Sequence, residues 1–149
     1  MQRALDQFAW MILVAWVGAL WAVGWLVAPM IFNIVPDKVL AGNLAGAIFT
    51  RLAYFGIVAA FILLINRLSA FGLQAFKHGY FWIVVAMLLL ILAGQFGIQP
   101  ILAHLKAQAG AADVMKSVFA ERFAHWHGIA SVAYLLECLL GVALTFKAR

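Results

Sequence analysis

The side chains in this sequence with the greatest chemical potential are charged groups within long apolar stretches. Glu137 and Arg51 both lie in such stretches. Charges inside a bilayer are costly and usually paired or functional, so both are candidate site residues. At 100° per residue, Ala133 and Gly141 share a helix face with Glu137, which predicts that its carboxyl faces the interior of a helix bundle. Such a carboxyl suits proton relay, cation binding, or a hydrogen bond to a neighbouring helix.

A second group of candidates begins the same stretch, in the sequence His125-Trp126-His127-Gly128. On a continuous helix the two histidines point about 200° apart and cannot ligate one metal ion. His127 shares a stripe with Tyr134 and Cys138, so it is the better candidate for an inward-facing residue. The other polar residues expected near this membrane face are Arg51, Gln95, Gln99 and His104.

Together these side chains predict a polar pocket at the end of the bundle away from the termini. Haem b would use an imidazole as axial ligand and a guanidinium on a propionate. A copper ion would use the candidate metal ligands His127, His125 and His104. A lipid headgroup or a quinone carbonyl also fits, as does simple anchoring of the helix ends. The candidate cofactor-binding residues are His127, His125, Arg51, Gln99, Tyr134 and Glu137.

The elements that position these residues follow from the composition. Hydrophobic residues make up 68% of the 149 residues and charged residues 10%, against about 45–50% and about 25% in soluble domains. Apolar runs of about 18 residues or more indicate membrane-spanning helices. We therefore expect a single all-α domain, an integral membrane four-helix bundle, with spans at about residues 8–32, 44–66, 80–98 and 125–146. Apolar residues at helical spacing predict an additional amphipathic helix in the connection at about 111–124, which either lies on the membrane surface or extends the fourth span.

Several classes of function are disfavoured. The net charge of +5 comes from basic residues at segment ends and not from a cluster with exposed aromatics, which excludes nucleic acid as a partner. No soluble-type catalytic motif is present, so the sequence leans against an enzyme. The single cysteine, Cys138, excludes an internal disulfide.

The sequence also predicts a location. The first apolar run is too long for a signal peptide, so we expect it to be retained as a span. Basic residues divide evenly between the two sides, but the short 66–79 connection is cleanly basic, which favours a bacterial inner membrane protein with both termini cytoplasmic. The terminal-side basic residues are Arg3, Arg67, Lys77, Lys147 and Arg149.

Small residues suggest contacts with other helices as well as with the lipid bilayer. Ala15, Gly18 and Ala22 recur at helical spacing, and Gly42 and Gly46 form a GxxxG pattern. A homo-oligomer or partner membrane subunits would explain them. Two alternatives to a ligand-binding protein thus stay open: a helix-docking accessory or assembly subunit, and an oligomeric transporter that uses Glu137 as its protonatable site.

Three stretches in order resemble a known family. They are Ala28–Phe32, residues 41–49 and residues 122–131. In combination they are similar to the bacterial relatives of eukaryotic transmembrane protein 205, a small four-span family carried as a domain of unknown function. The resemblance implies a four-helix membrane fold, and the family's His-Gly-Ile motif maps onto His127, Gly128 and Ile129. An asparagine expected a few residues later is absent.

Overall fold

A computed structural model describes residues 2–110 and 113–148 of the chain. These residues form six α-helices and no strand, which confirms the all-α prediction. The helices are α1 (Gln2–Ala22), α2 (Ala28–Ile34), α3 (Lys38–Phe71), α4 (Gly79–Leu92), α5 (Gln99–Ala109) and α6 (Ala120–Lys147). Arg149 and residues 111–112 of the predicted connection lie outside this description.

The helices combine into four segments that are long and apolar enough to cross a membrane. Span 1 is Arg3–Ile34, span 2 Lys38–Lys77, span 3 Gly79–Ala109 and span 4 Ala120–Lys147. Only 22% to 28% of the most apolar window of each span is buried inside the chain. The other apolar side chains therefore face outward, as expected for helices in contact with lipid.

Spans 1 and 3 share a local irregularity. A π-helical segment joins α1 to α2 at Val23–Val27, and another joins α4 to α5 at Ala93–Ile98. Each precedes a proline in the first turn of the next helix, Pro29 and Pro100. A proline has no N–H to donate and crowds the preceding turn. The wider π turn is therefore the local adjustment that lets each span continue past its proline.

The four spans form a closed ring in chain order. α1 packs on α3, α3 on α4, α4 on α6 and α6 on α1, as in an up-and-down bundle. Asn66 Nδ2 donates a hydrogen bond to Asp6 Oδ1 at 3.2 Å across one end. We call this the terminal end, formed by residues 3–10, 66–80 and 147–148. The opposite end comprises residues 31–46, 99–109 and 113–127.

Buried apolar side chains hold the helices together, with Trp16 fully buried among them. Gly56 of α3 is a site of close approach: a Cβ placed there would lie 2.8 Å from Ile91 Cδ1 and 2.9 Å from Trp16 Nε1. Only a glycine lets the rigid indole and α4 reach the α3 backbone at this level.

The connection before span 4 differs from the sequence prediction. In its described part, residues 113–119, it holds one 3₁₀ turn, Val114–Lys116, instead of a separate amphipathic helix. Asp113 caps this turn by accepting from Met115 N at 3.0 Å. The Ser117 hydroxyl then donates to Val114 O and accepts from Phe119 N. These local side-chain hydrogen bonds compete with helical ones and end the turn, and the helix restarts at Ala120.

Substitution of Gly56 tests this packing. We expect Gly56→Ala to destabilise the bundle by about 1–3 kcal/mol through overpacking against Trp16. Gly18→Ala is the matched control, because a Cβ at Gly18 meets nothing within 4 Å; it should be neutral or slightly stabilising. Unfolding of detergent-purified protein followed by circular dichroism compares the two, and equal stabilities would contradict this account of Gly56.

Candidate functional site

Glu137 is the one charged residue in the described chain that is buried, at 7% exposure. It lies ten residues before Lys147, which is roughly 15 Å along α6 and so deep in a hydrocarbon core of about 30 Å. One turn further on, Gly141 packs against Val17 of α1 and Met87 of α4. The prediction that Glu137 faces the bundle interior is thus confirmed. Its carboxyl has no hydrogen-bond or ion-pair partner among the described residues.

Tyr134, one turn before Glu137, attaches α6 to the irregular part of span 1. Its hydroxyl donates a hydrogen bond to the Leu20 carbonyl. Its ring lies so close to Gly24 that a Cβ there would be 2.6 Å from Tyr134 Cε1. Phe49 packs edge-on against the same ring, with centroids 5.1 Å apart. Gly24, in the Val23–Val27 π segment, therefore makes room for the phenol beside Glu137.

A buried donor lies at the same depth. Trp16 Nε1 is buried and has no hydrogen-bond partner in the described part of the chain. Trp16 is ten residues after Asp6, so it lies roughly 15 Å from the terminal end, level with Glu137. Buried polar groups are normally satisfied, and unsatisfied ones call for an explanation. The middle layer of the bundle thus holds one carboxyl and one indole N–H that the described residues leave unsatisfied.

The first half of α6 is not covered by the other helices, although Ala41, Ala45, Leu102 and Leu105 are buried at the same end of the bundle. Neither π segment and no residue of α2 is buried, and α6 has no buried residue before Glu137. His127 is exposed for this reason, although it lies on the same stripe as buried Cys138. The sequence predicts His127 as the better inward-facing candidate, and the structure leaves its side chain exposed. The stripe of His127, Ser131 and Tyr134 runs along α6 from the opposite end toward Glu137.

The two glycines of the GxxxG pattern face polar side chains. Lys106 Nζ donates to the Gly42 carbonyl at 3.1 Å, and a Cβ at Gly46 would lie 3.7 Å from Gln99 Nε2. The Lys106 ammonium also lies 5.9 Å from the centroid of the Phe123 ring. The pattern therefore lies where span 3 approaches α3, with a hydrogen bond from Lys106 at Gly42, a role that its sequence alone did not indicate.

The predicted histidine ligands do not come together. His104, His125 and His127 are all exposed, and His127 stacks on Phe123 with centroids 5.7 Å apart. The described residues contain no group of three or more His, Cys, Asp or Glu side chains that could hold a metal ion. The haem and copper assignments stay predictions from the sequence.

Arg51 lies on the outside of the bundle. It is exposed, and no described residue pairs with it. It precedes Asn66 by fifteen residues, so it lies roughly 22 Å from the terminal end, inside a core of about 30 Å. It therefore does not join Glu137 and Tyr134 in one site.

The sequence analysis missed a cluster of polar and aromatic residues at the terminal end. Arg67 lies there between the rings of Phe71 and Tyr80, near the Asp6–Asn66 hydrogen bond. From the sequence, Arg67 is only one of the basic residues on the terminal side of the membrane. The one signal in the sequence is the pair Asn66-Arg67 directly after an apolar run. The contact of Asn66 with Asp6 joins residues 60 positions apart, and local spacing does not predict such a contact.

Comparison with known proteins identifies a family but no activity. The chain matches a family described as a domain of unknown function, DUF4149, over residues 11–111, which is more than half of its length. The chain belongs to this family. The match covers spans 1 to 3 and ends before the helix that carries Glu137. No curated protein and no solved structure matches the chain.

Proposed function

We propose that this multi-pass membrane protein binds a proton or a small cation at Glu137, deep within its helix bundle. The carrying observation is that Glu137 is buried, at 7% exposure of the residue, with no hydrogen bond or ion pair to a described residue. An unpaired carboxylate at this depth is strongly disfavoured, because removal from water is not offset by a nearby cation. A proton or cation that binds to Glu137 neutralises the carboxylate and so removes the free-energy cost of burying its charge. An anion would increase that cost.

The polar stripe on α6 supports access from the opposite end. His127, Ser131 and Tyr134 follow one another along the helix toward Glu137, and no residue of α6 before Glu137 is buried. Imidazole and hydroxyl groups both donate and accept hydrogen bonds, so they can pass a proton between them. A complete path across the membrane would need a second copy or a partner to enclose it, since the outer side of this stripe is exposed.

Infrared spectroscopy of the protein in nanodiscs tests proton binding at Glu137. We expect one carboxyl stretch in an apolar environment to appear or vanish as pH is varied. The signal should be lost in Glu137→Gln, because the amide cannot ionise, and retained in Glu121→Gln, whose side chain is exposed at the start of α6. A titration that is the same in wild type and Glu137→Gln would refute the proposal.

Proton uptake into proteoliposomes then separates binding from transport. If the α6 stripe is the route, His127→Gln should slow uptake, whereas His125→Gln should not, because His125 points about 200° away. Uptake no faster than that of empty liposomes, with the infrared signal intact, would restrict Glu137 to binding alone.

We propose a helix-docking subunit as the second candidate, on the basis of Arg51. A charged side chain on the outer surface of a span normally faces a partner or a polar cavity. Ala15, Gly18 and Ala22 are also exposed, and nothing lies within 4 Å of a Cβ at Gly18. Small residues of this kind let another helix approach closely.

Native mass spectrometry of the protein in nanodiscs tests docking. We expect Arg51→Gln and Gly18→Leu to reduce the fraction that carries a second protein subunit, without loss of helical content. Arg122→Gln is the matched control, since Arg122 is exposed at the start of α6. A wild-type protein that is monomeric at all concentrations tested would exclude a homo-oligomer and leave only a foreign partner, detectable by crosslinking in native membranes.

We further propose that the chain is a bacterial inner membrane relative of transmembrane protein 205, with both termini cytoplasmic. The basic residues Arg67 and Lys77 flank the short connection at the terminal end, which supports this orientation. A reporter that functions only in the cytoplasm should be active when fused to the C-terminus. Activity of a reporter restricted to the periplasm would reverse the orientation.

A further inference from the structure

The terminal end carries a cleft that the Glu137 proposal does not use. Its volume is about 260 Å³, and it lies between the start of α1, the end of α3 and the start of α4. The polar and aromatic residues that line it are Asp6, Trp10, Asn66, Arg67, Phe71 and Tyr80. Each of these residues lies near the start or the end of an apolar helix. Helix ends of this kind lie at the level of the lipid headgroups.

Arg67 is the centre of this cleft. Its guanidinium carbon lies 4.5 Å from the Phe71 ring centroid and 4.7 Å from the Tyr80 centroid. Contact with two aromatic rings restrains the guanidinium and partly removes it from water. Its Nε is buried and has no hydrogen-bond partner among the residues that the structure describes. The group is thus held in position with a donor that those residues do not use.

Arg67 is the cation among the residues that line the cleft, so an anion that enters would bind beside it. Asp6 also lines the cleft, where its carboxylate accepts from Asn66 Nδ2 at 3.2 Å. The other cations at this end, Arg3, Lys77 and Lys147, are exposed. Planar guanidinium donors match the paired oxygens of a phosphate, and such charge-assisted hydrogen bonds are among the stronger ones.

A shallow, open and mainly apolar depression of the surface adjoins this cleft. It has a volume of about 500 Å³ and shares Asp6, Trp10 and Ala148 with it, and Met11 extends it along the outer face of α1. The Met11 side chain is 59% exposed. A ligand with a phosphate in the cleft could therefore lay an acyl chain along this apolar surface. A phosphate and an acyl chain in one molecule are characteristic of a phospholipid.

We propose that the cleft at Arg67 binds the phosphate of a phospholipid headgroup, with an acyl chain along the Trp10–Met11 face. The guanidinium donates to the phosphate oxygens, and Phe71 and Tyr80 keep it in place. Phosphates at this level of the membrane come mostly from lipids, although a free phosphate ion would present the same chemistry.

Native mass spectrometry of delipidated, detergent-purified protein tests the proposal with phosphatidylglycerol as the probe. We expect one tightly retained lipid, and a loss of affinity of at least about tenfold in Arg67→Gln, which removes a charged hydrogen-bond donor. Lys77→Gln is the matched control, because it removes an exposed cation from the same end and should leave lipid retention unchanged. Equal retention by wild type and Arg67→Gln would overturn the proposal.

Two further arms need only the wild-type protein, so they hold even if Arg67→Gln fails to fold. Dioleoylglycerol has acyl chains but no phosphate and should not be retained; retention equal to that of phosphatidylglycerol would overturn a phosphate site. Inorganic phosphate should not displace the lipid at millimolar concentration. Displacement, or calorimetric binding of inorganic phosphate without binding of phosphatidylglycerol, would assign the cleft to a soluble anion and overturn the lipid proposal.

Discussion

The interior of a bilayer offers no hydrogen-bond partner to the backbone, and the rest of this structure depends on that constraint. The chain forms long helices in which the backbone amides hydrogen-bond within each span. Pro29 and Pro100 would interrupt the helical hydrogen bonds of spans 1 and 3, and a π turn before each proline accommodates it. Ala28 N–H bonds to Val23 O and Gln99 N–H to Gly94 O, each five residues back. The helices thus cross without a break.

The same constraint makes each polar side chain in the interior informative. Tyr134 satisfies its hydroxyl on the Leu20 carbonyl, and Lys106 satisfies its ammonium on the Gly42 carbonyl. Gly24 leaves the space that the Tyr134 ring needs, whereas a Cβ at Gly42 would make only ordinary contact with Lys106. Glu137 differs from both, because no hydrogen bond or ion pair joins it to a described residue. The buried Nε1 atoms of Trp16 and Trp21 also lack a hydrogen-bond partner in the described part of the chain, but Glu137 is the buried residue there that can carry a charge.

The two ends of the bundle differ in how they are held. At the terminal end, hydrogen bonds and stacked rings join α1, α3 and α4 around Arg67. Toward the opposite end, α2, both π segments and the first half of α6 contribute no buried residue.

The sequence by itself determined the number of spans and the inward face of Glu137. Bilayer thickness sets the length of an apolar run, and small residues such as Gly141 mark the helix face that another helix approaches. Both features can therefore be read from neighbouring positions in the sequence. Only the tertiary structure decided the places of His127 and Arg67. His127 shares a stripe with buried Cys138 but is exposed, because the neighbouring helices do not cover α6 at that level. Arg67 is held by rings from two helices, and the helix packing that joins them leaves no periodic pattern in the sequence.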